Sequence, residues 1–227
     1  MQSQKSKFKY SDRGFNNPLV LVHGWATDYR IFDNLDLNFD YIFCLRLNPV
    51  NFVEDLKNFL DQSSIDEVSM LGFSMGAFLA AEFSSRYPQR VKELNLLGSR
   101  LQYEAQDLGK IKIGIKENKK AWLYRFYRNC FSANQEAAYI SFKGSLLKEY
   151  IDADLNGLIN GLDYLARQKL EAEKLKKVRF FHGTEDKIAP ISEALEINLG
   201  LKAEFIRLQA GHFLFYHSDF EGKFNER

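Results

Sequence analysis

The sequence predicts an α/β chain, with a mostly parallel sheet covered by helices on both faces. Three observations carry this expectation. Apolar runs of strand length alternate with stretches of helical periodicity. The run Val68-Ser69-Met70-Leu71 leads into Gly72-Phe73-Ser74-Met75-Gly76 and then into the Ala-rich amphipathic stretch 77–87. Two late apolar runs each end in a loop with a chemically useful side chain, Asp186 in one and His212 in the other.

In chain order, residues 18–23 form a continuous apolar run, which reads as a fully buried parallel strand entering the loop Gly24-Trp25. Helical spacing near 29–35 comes next, then a strand over 39–47 with Cys44 inside its apolar segment. Arg46-Leu47-Asn48-Pro49 passes almost directly into a helix over 50–61. A strand at 66–72, a helix at 75–87 and a strand at 91–98 complete the first part. Between Gly98 and Val178 no strand-like run occurs. There the spacing of Trp122, Leu123, Phe126 and Tyr127 predicts an all-helical insertion. Strands at 178–183 and 203–208 and helices at 190–199 and 215–225 close the chain. The expected organisation is a core of 1–98 and 178–227 with an insertion at 99–177.

Composition sets the outer limits. A chain of 227 residues is long enough for one domain with a sizeable core. With 45% hydrophobic and 15% aromatic residues it is not a disordered sequence. A formal charge of +1 gives no argument for nucleic acid or an anionic membrane as partner. Two cysteines, Cys44 and Cys130, do not suggest a disulfide scaffold. Residues 1–10 are polar and basic, without the apolar core of a signal peptide. No apolar run approaches the ~20 residues of a membrane span. The expectation is a cytoplasmic protein, and no residues show metal-ligand spacing.

The pentapeptide at 72–76 has the context of a nucleophile elbow. Ser74 would sit on a sharp, strained turn that lifts its Oγ clear of the backbone, with glycines allowing strand and helix to approach. The Met75 amide, at the start of the helix, would then point toward a developing oxyanion. The plainer alternative is a serine that merely caps the helix.

Ser, Asp and His follow in the chain order of α/β-hydrolases. With Val22-His23-Gly24-Trp25, the elbow, Gly183-Thr184-Glu185-Asp186 and Ala210-Gly211-His212-Phe213, the chain resembles that superfamily from about residue 18 to its end. The resemblance implies Ser74 as nucleophile, His212 as general base and Asp186, rather than Glu185, as the triad acid. It implies the amides of Trp25 and Met75 as oxyanion donors, and a lid at the helical insertion. Structural roles fall to His23 and His182, and His217 reads as a surface residue of the last helix. Two departures mark a trimmed version of the fold. The region before Leu19 is too short for a full N-terminal hairpin, so one or both early strands are expected to be missing. An Asp-x-x-Gly-x-Gly-x-Ser loop after the strand at 39–47 is absent.

A serine nucleophile implies acyl transfer from an ester, thioester or amide, a chemistry expected to need no cofactor. Within the superfamily the chain looks most like the pimeloyl-[acyl-carrier-protein] methyl ester esterases of biotin synthesis. This rests on Val22-His23-Gly24-Trp25, the elbow, and Leu155-Asn156-Gly157-Leu158 with Leu162 and Leu165. The resemblance implies a small acyl ester carried on an acidic acyl carrier protein. Separately, Lys110, Lys112, Lys116, Lys119, Lys120, Arg125 and Arg128 lie within 110–128 against Glu117 alone. Of these, Lys116, Lys119, Lys120, Arg125 and Arg128 are the candidates for docking such a carrier; a solvated helix face is the alternative. Other readings are an acyl thioesterase, a general short-chain carboxylesterase and a non-catalytic binding protein.

Overall fold

The structure is a computed structural model and describes residues 7–226. Residues 1–6, most of the stretch expected to carry no signal peptide, lie outside the described residues. Seven strands build the sheet: β1 (Phe8–Ser11), β2 (Pro18–Val22), β3 (Asp40–Cys44), β4 (Val68–Phe73), β5 (Val91–Leu97), β6 (Val178–Gly183) and β7 (Glu204–Leu208). Their order is β1-β3-β2-β4-β5-β6-β7. Every neighbouring pair is parallel except β1 with β3. The central strands β2 and β4 are buried on both faces, and β2 for that reason reads as an unbroken apolar run.

The N-terminal reduction is therefore one strand deep, and β1 survives as an antiparallel edge. Its four residues, Phe-Lys-Tyr-Ser, show only one apolar anchor in sequence. Phe8 is buried against Phe59 and Phe52, at 5.3 and 6.1 Å between ring centroids. Other boundaries also shift. The strand expected at 39–47 is only five residues long, and the helix expected at 29–35 is a 3-10 turn, Tyr29–Phe32, capped by Asp28. The segment 215–225 divides into a 3-10 turn, Leu214–Tyr216, and a short terminal helix.

Eight α-helices are described: α1 (Phe52–Gln62), α2 (Met75–Arg86), α3 (Ala105–Asn129), α4 (Glu136–Phe142), α5 (Lys148–Tyr150), α6 (Leu155–Leu165), α7 (Ile191–Leu201) and α8 (Phe220–Asn225). In α1 the apolar stripe Phe52, Val53, Leu56 and Leu60 is buried, while Glu54 and Asp55 in the first turn complement the helix dipole. Helix α2 is apolar nearly all round and buried, with Ala77, Ala80 and Ala81 keeping its backbone close to its neighbours. α3 to α6 lie between β5 and β6; a π-helical turn, Lys143–Leu147, joins α4 to α5. One isolated bridge, Gln102 with Lys169, ties the two ends of this segment together.

α3 is not one continuous rod. Asn118 has φ −150° and ψ 83°, and its side-chain oxygen accepts from the Ala121 amide at 3.1 Å, as an N-cap does for a new helix. Beyond this break Leu123 and Tyr127 are buried and Trp122 stacks on Phe126 at 5.6 Å. Cys44 and Cys130 are both buried and free. No described helix is long and apolar enough to cross a membrane.

Asp40, at the start of β3, organises the turn that leads from β1 into β2. Its carboxylate accepts from the backbone amides of Arg13 (2.7 Å), Phe15 (3.2 Å) and Asn17 (3.2 Å). Burial opposes ionisation, but these three donors and the Tyr10 hydroxyl outweigh it and hold the carboxyl below its usual range. A depressed folded-state value gives stability that is fully present above the unfolded value of about 3.9 and is lost as pH falls through the folded one. Asp40→Asn is therefore expected to lower stability near neutrality by about 1–3 kcal/mol. It is also expected to flatten the loss of stability below about pH 4. Urea titrations of both proteins at pH 7 and pH 3 measure this directly. A difference between them that does not shrink at pH 3 would show that the carboxylate's charge is not what holds the turn.

Candidate active site

Ser74 occupies the turn between β4 and α2, with φ 54° and ψ −114°. This is the positive-φ half of backbone space, costly for a side chain with a Cβ, so the surrounding structure must hold it there. Two glycines explain how it does. A Cβ on Gly72 would stand 2.6 Å from the Gly76 carbonyl oxygen, and one on Gly76 would stand 2.2 Å from that of Val22. Strand, turn and helix therefore approach closely around the serine. Its amide donates to the Leu97 carbonyl at 2.9 Å, and its side chain makes no capping bond to α2. Helix capping does not account for a serine at this position.

Asp186 lies three residues beyond Gly183 at the end of β6. Its Oδ1 accepts from the amides of Ile188 and Ala189, both at 2.8 Å, and its Oδ2 stands 2.7 Å from His212 Nδ1. Burial pushes this carboxyl toward protonation. The imidazoles of His212 and His182 and the backbone donors more than offset that, and the net shift is downward, so Asp186 is an anion at neutral pH. Glu185 is half-exposed and only its backbone is engaged, donating to Ala210 at 2.9 Å.

His212 is buried, with its ring 4.9 Å from that of Phe73, the residue just before Ser74. Gly98, at φ 55°, leaves the space this ring needs, since a Cβ there would lie 3.0 Å from two ring atoms. The loop carrying His212 is held from the inserted helices. Gln135 Oε1 accepts from the Gly211 amide at 2.8 Å, its Nε2 donates to the Phe213 carbonyl at 3.0 Å, and the Phe213 amide donates to Cys130 at 2.9 Å. Gly98 and Gln135 carry no motif of their own in the sequence, because each matters only through a partner tens of residues away.

Of the remaining histidines, His182 comes nearest this pair, with its Nε2 3.6 Å from Asp186 Oδ2. His23 is buried with Nδ1 3.0 Å from the Gly24 carbonyl, and burial lowers its pKa. His182 Nε2 lies 2.7 Å from the Ala189 carbonyl, bracing the loop of Asp186, and burial lowers its pKa too. His217 sits in a turn before α8, not within a helix, and its Nδ1 accepts from the Asp219 amide.

Trp25 and Met75 line a cavity of about 600 Å³ together with His23 and Gly24. A Cβ on Gly24 would lie 3.1 Å from that of Ser74, so this turn borders the serine. Among the described residues, neither the Trp25 nor the Met75 amide donates to a protein acceptor. The Trp25 indole donates to the Leu158 carbonyl of α6 at 2.9 Å and meets Trp122 and Phe126 edge-on. Its ring fits over Gly161, where a Cβ would come within 2.6 Å. A second cavity, about 350 Å³, lies beyond Trp122 and Phe126 and is bordered by Tyr103, Arg125 and Lys187. Among the described residues no cluster of three or more His, Cys, Asp or Glu side chains could hold a metal ion.

The basic segment of α3 is less uniform in space than in sequence. Lys120 pairs with Asp152 at 2.6 Å and Arg128 with Glu136 at 2.9 Å, while Lys119 donates to the Ala153 carbonyl at 2.6 Å. Lys110 and Lys112 pair with Asp107 and Asp163. Among the described residues Lys116 and Arg125 have no carboxylate within ion-pair distance. The break at Asn118 also sets Lys116 and Lys120 on different helical segments.

Comparison with known proteins points to one architecture. A family model described as alpha/beta hydrolase fold matches residues 44–149. The chain is 24% identical over 217 residues to a 2-hydroxy-6-oxo-2,4-heptadienoate hydrolase of Pseudomonas putida, covering 82% of this chain and 78% of that one. Among solved structures, an esterase from Exiguobacterium antarcticum superposes with a TM-score of 0.77 at 19% identity, over 96% of this chain and 91% of that one. The enol-lactonase from Burkholderia xenovorans gives 0.77 at 17% identity, over 95% and 91%. A bromoperoxidase from Bacillus anthracis gives 0.79 at 19% identity, over 96% and 91%.

Proposed function

We propose that this chain, which has the α/β-hydrolase fold, is a carboxylic ester hydrolase that works through Ser74, His212 and Asp186. The observation that carries this reading is the 2.7 Å pair of Asp186 and His212, with the His212 ring 4.9 Å from that of Phe73, next in the chain to a serine held at φ 54° without a capping role. In the proposed reaction His212 takes the Ser74 proton as Oγ attacks the ester carbonyl, and Asp186 keeps the imidazole in the accepting tautomer. The amides of Trp25 and Met75 receive the oxyanion. His212 then protonates the departing alcohol, and water hydrolyses the acyl-enzyme by the same steps. The relatives named as hydrolase, esterase and enol-lactonase support acyl or related hydrolytic chemistry on this scaffold.

For the physiological substrate we propose the methyl ester of a pimeloyl group attached to acyl carrier protein. The two motifs around Trp25 and Leu158 support it, because they meet in space: the Trp25 indole bonds the Leu158 carbonyl at the wall of the larger cavity. Lys116 and Arg125 supply unpaired positive charge for an acidic partner. The second reading is a short-chain carboxylesterase or acyl thioesterase without a carrier. The pairing of Lys120 and Arg128 with Asp152 and Glu136 favours it, since those cations are already partly compensated.

Turnover of pimeloyl-carrier methyl ester and of a simple aryl ester separates the two. Exposed charge pairs contribute about 0.2–1 kcal/mol each, so Lys116→Glu with Arg125→Glu is expected to raise KM for the carrier ester roughly three- to tenfold. The aryl ester should be hydrolysed as before. Added salt should reproduce the defect, because exposed charges are screened beyond a Debye length of about 8 Å near physiological ionic strength. An unchanged KM for the carrier ester would favour the second reading.

A further inference from the structure

The loop that leaves β2 carries the Trp25 amide, and contacts on the preceding carbonyl fix which way that amide points. Gly24, Trp25 and Thr27 all line the larger cavity. The Gly24–Trp25 peptide is planar and trans, so its C=O and its N–H point in opposite directions. Groups that grip the Gly24 oxygen therefore aim the Trp25 N–H. Two side chains do so. Thr27 Oγ1 donates to that oxygen at 3.0 Å, and His23 Nδ1 lies 3.0 Å from it. A carbonyl only accepts, so the His23 nitrogen there carries the proton. Thr27 reaches back to Gly24 across a turn in which Ala26 stands at φ 59°, a left-handed conformation costly for alanine. The inserted helices hold both neighbours of Thr27. The Tyr127 hydroxyl of α3 donates to the Ala26 carbonyl, and the Tyr150 hydroxyl of α5 donates to Asp28 Oδ1 at 3.0 Å.

We propose that Thr27 is a positioning residue, whose O–H holds the Gly24 carbonyl and so keeps the Trp25 amide aimed at the oxyanion. This rests on the reading of Ser74 as nucleophile and of Trp25 as an oxyanion donor. A Cβ on Gly24 would lie 3.1 Å from that of Ser74, which puts this peptide beside the nucleophile. Among the described residues the Trp25 amide has no protein acceptor. Its direction in the free enzyme is therefore set from the carbonyl side of the peptide. Without the Thr27 hydroxyl, His23 is the one side chain left on that oxygen, and the peptide plane is free to rock. An ester carbonyl is a weak acceptor, whereas the tetrahedral oxyanion is a strong one. A misaimed donor costs more in the transition state than in the bound ester. Thr27 should act on kcat and leave KM nearly untouched.

The test compares Thr27→Val, which removes the hydroxyl and keeps the shape, with Thr27→Ser, which keeps the hydroxyl. On an aryl ester, Thr27→Val should lower kcat and kcat/KM together by about tenfold, a part of the roughly 10²–10³ that a lost oxyanion donor costs. Thr27→Ser should stay within about threefold of the unaltered protein. The second readout is inhibition by an aryl trifluoromethyl ketone. Ser74 Oγ adds to its carbonyl carbon, the serine proton passes to His212, and the former carbonyl oxygen becomes an oxyanion. Its inhibition constant should rise about tenfold in Thr27→Val, in step with the loss in kcat/KM, and little in Thr27→Ser. Equal losses in the two variants would overturn the proposal in favour of a packing role for the threonine methyl. A raised KM at unchanged kcat would overturn it too, since the hydroxyl would then be touching substrate. Normal turnover by Thr27→Val sinks this proposal alone. If the unaltered protein neither hydrolyses the ester nor adds the ketone at Ser74, the nucleophile reading fails first and takes this one with it.

Discussion

Ser74→Ala is expected to reduce ester turnover by about 10⁶ in kcat, the scale seen when the nucleophile of a serine hydrolase is removed. The fold should survive. Ser74 makes no side-chain bond to the first turn of α2, and its structural contribution runs through its amide, which donates to Leu97. Alanine keeps both that amide and the cost of a positive φ, so the thermal midpoint should move by no more than a degree or two, about 0.5 kcal/mol for a chain of this size. Turnover of an aryl ester and a thermal melt on the same preparation test both halves. Residual activity above about a hundredth of the original would mean that another group carries the reaction.

Asp186→Asn should cost about 10⁴ in kcat, and the hydrogen bonds around it say why. The amides of Ile188 and Ala189 both aim at Oδ1 from 2.8 Å. In the asparagine variant they select the amide oxygen for that side, which turns the NH₂ group toward His212 Nδ1. A donor there forces the ring proton onto Nε2, and the imidazole can no longer accept from Ser74. Glu185→Gln, one residue earlier, should change kcat less than about twofold, because surface substitutions without partners have small effects. A severe loss in Glu185→Gln with a mild one in Asp186→Asn would reverse the identity of the acid.

Much of this arrangement is legible in the sequence because it is local. The elbow, the loop of Asp186 and the loop of His212 each follow an apolar strand by a fixed short distance, so their positions on the sheet follow from strand recognition. Strand β2 is marked as well, since a parallel strand buried on both faces is a continuous apolar run, whereas the order in which the strands pair is not written in any one segment. What depends on distant partners is not legible. Carboxylates at Glu136, Asp152 and Asp163, all beyond α3 in the chain, compensate its cations, so the charge density of 110–128 overstates the free positive surface. The break at Asn118 leaves the helical periodicity on either side intact and so hides in the pattern. β1 escapes notice because one phenylalanine among polar residues is too little signal for a strand.

Gln135 gives the inserted helices a second duty. By holding Gly211 and Phe213 on either side of His212, it couples the position of the general base to the segment from Cys130 to α4. This part of the insertion cannot swing away as a flap without carrying the imidazole off Asp186. The part before Asn118 carries no such tie. A protein engineer seeking broader substrate range has freedom in the first half of α3. Exchange of the segment from Cys130 to α4 with that of another hydrolase would remove the histidine's mooring, and the graft would have to bring its own replacement for Gln135.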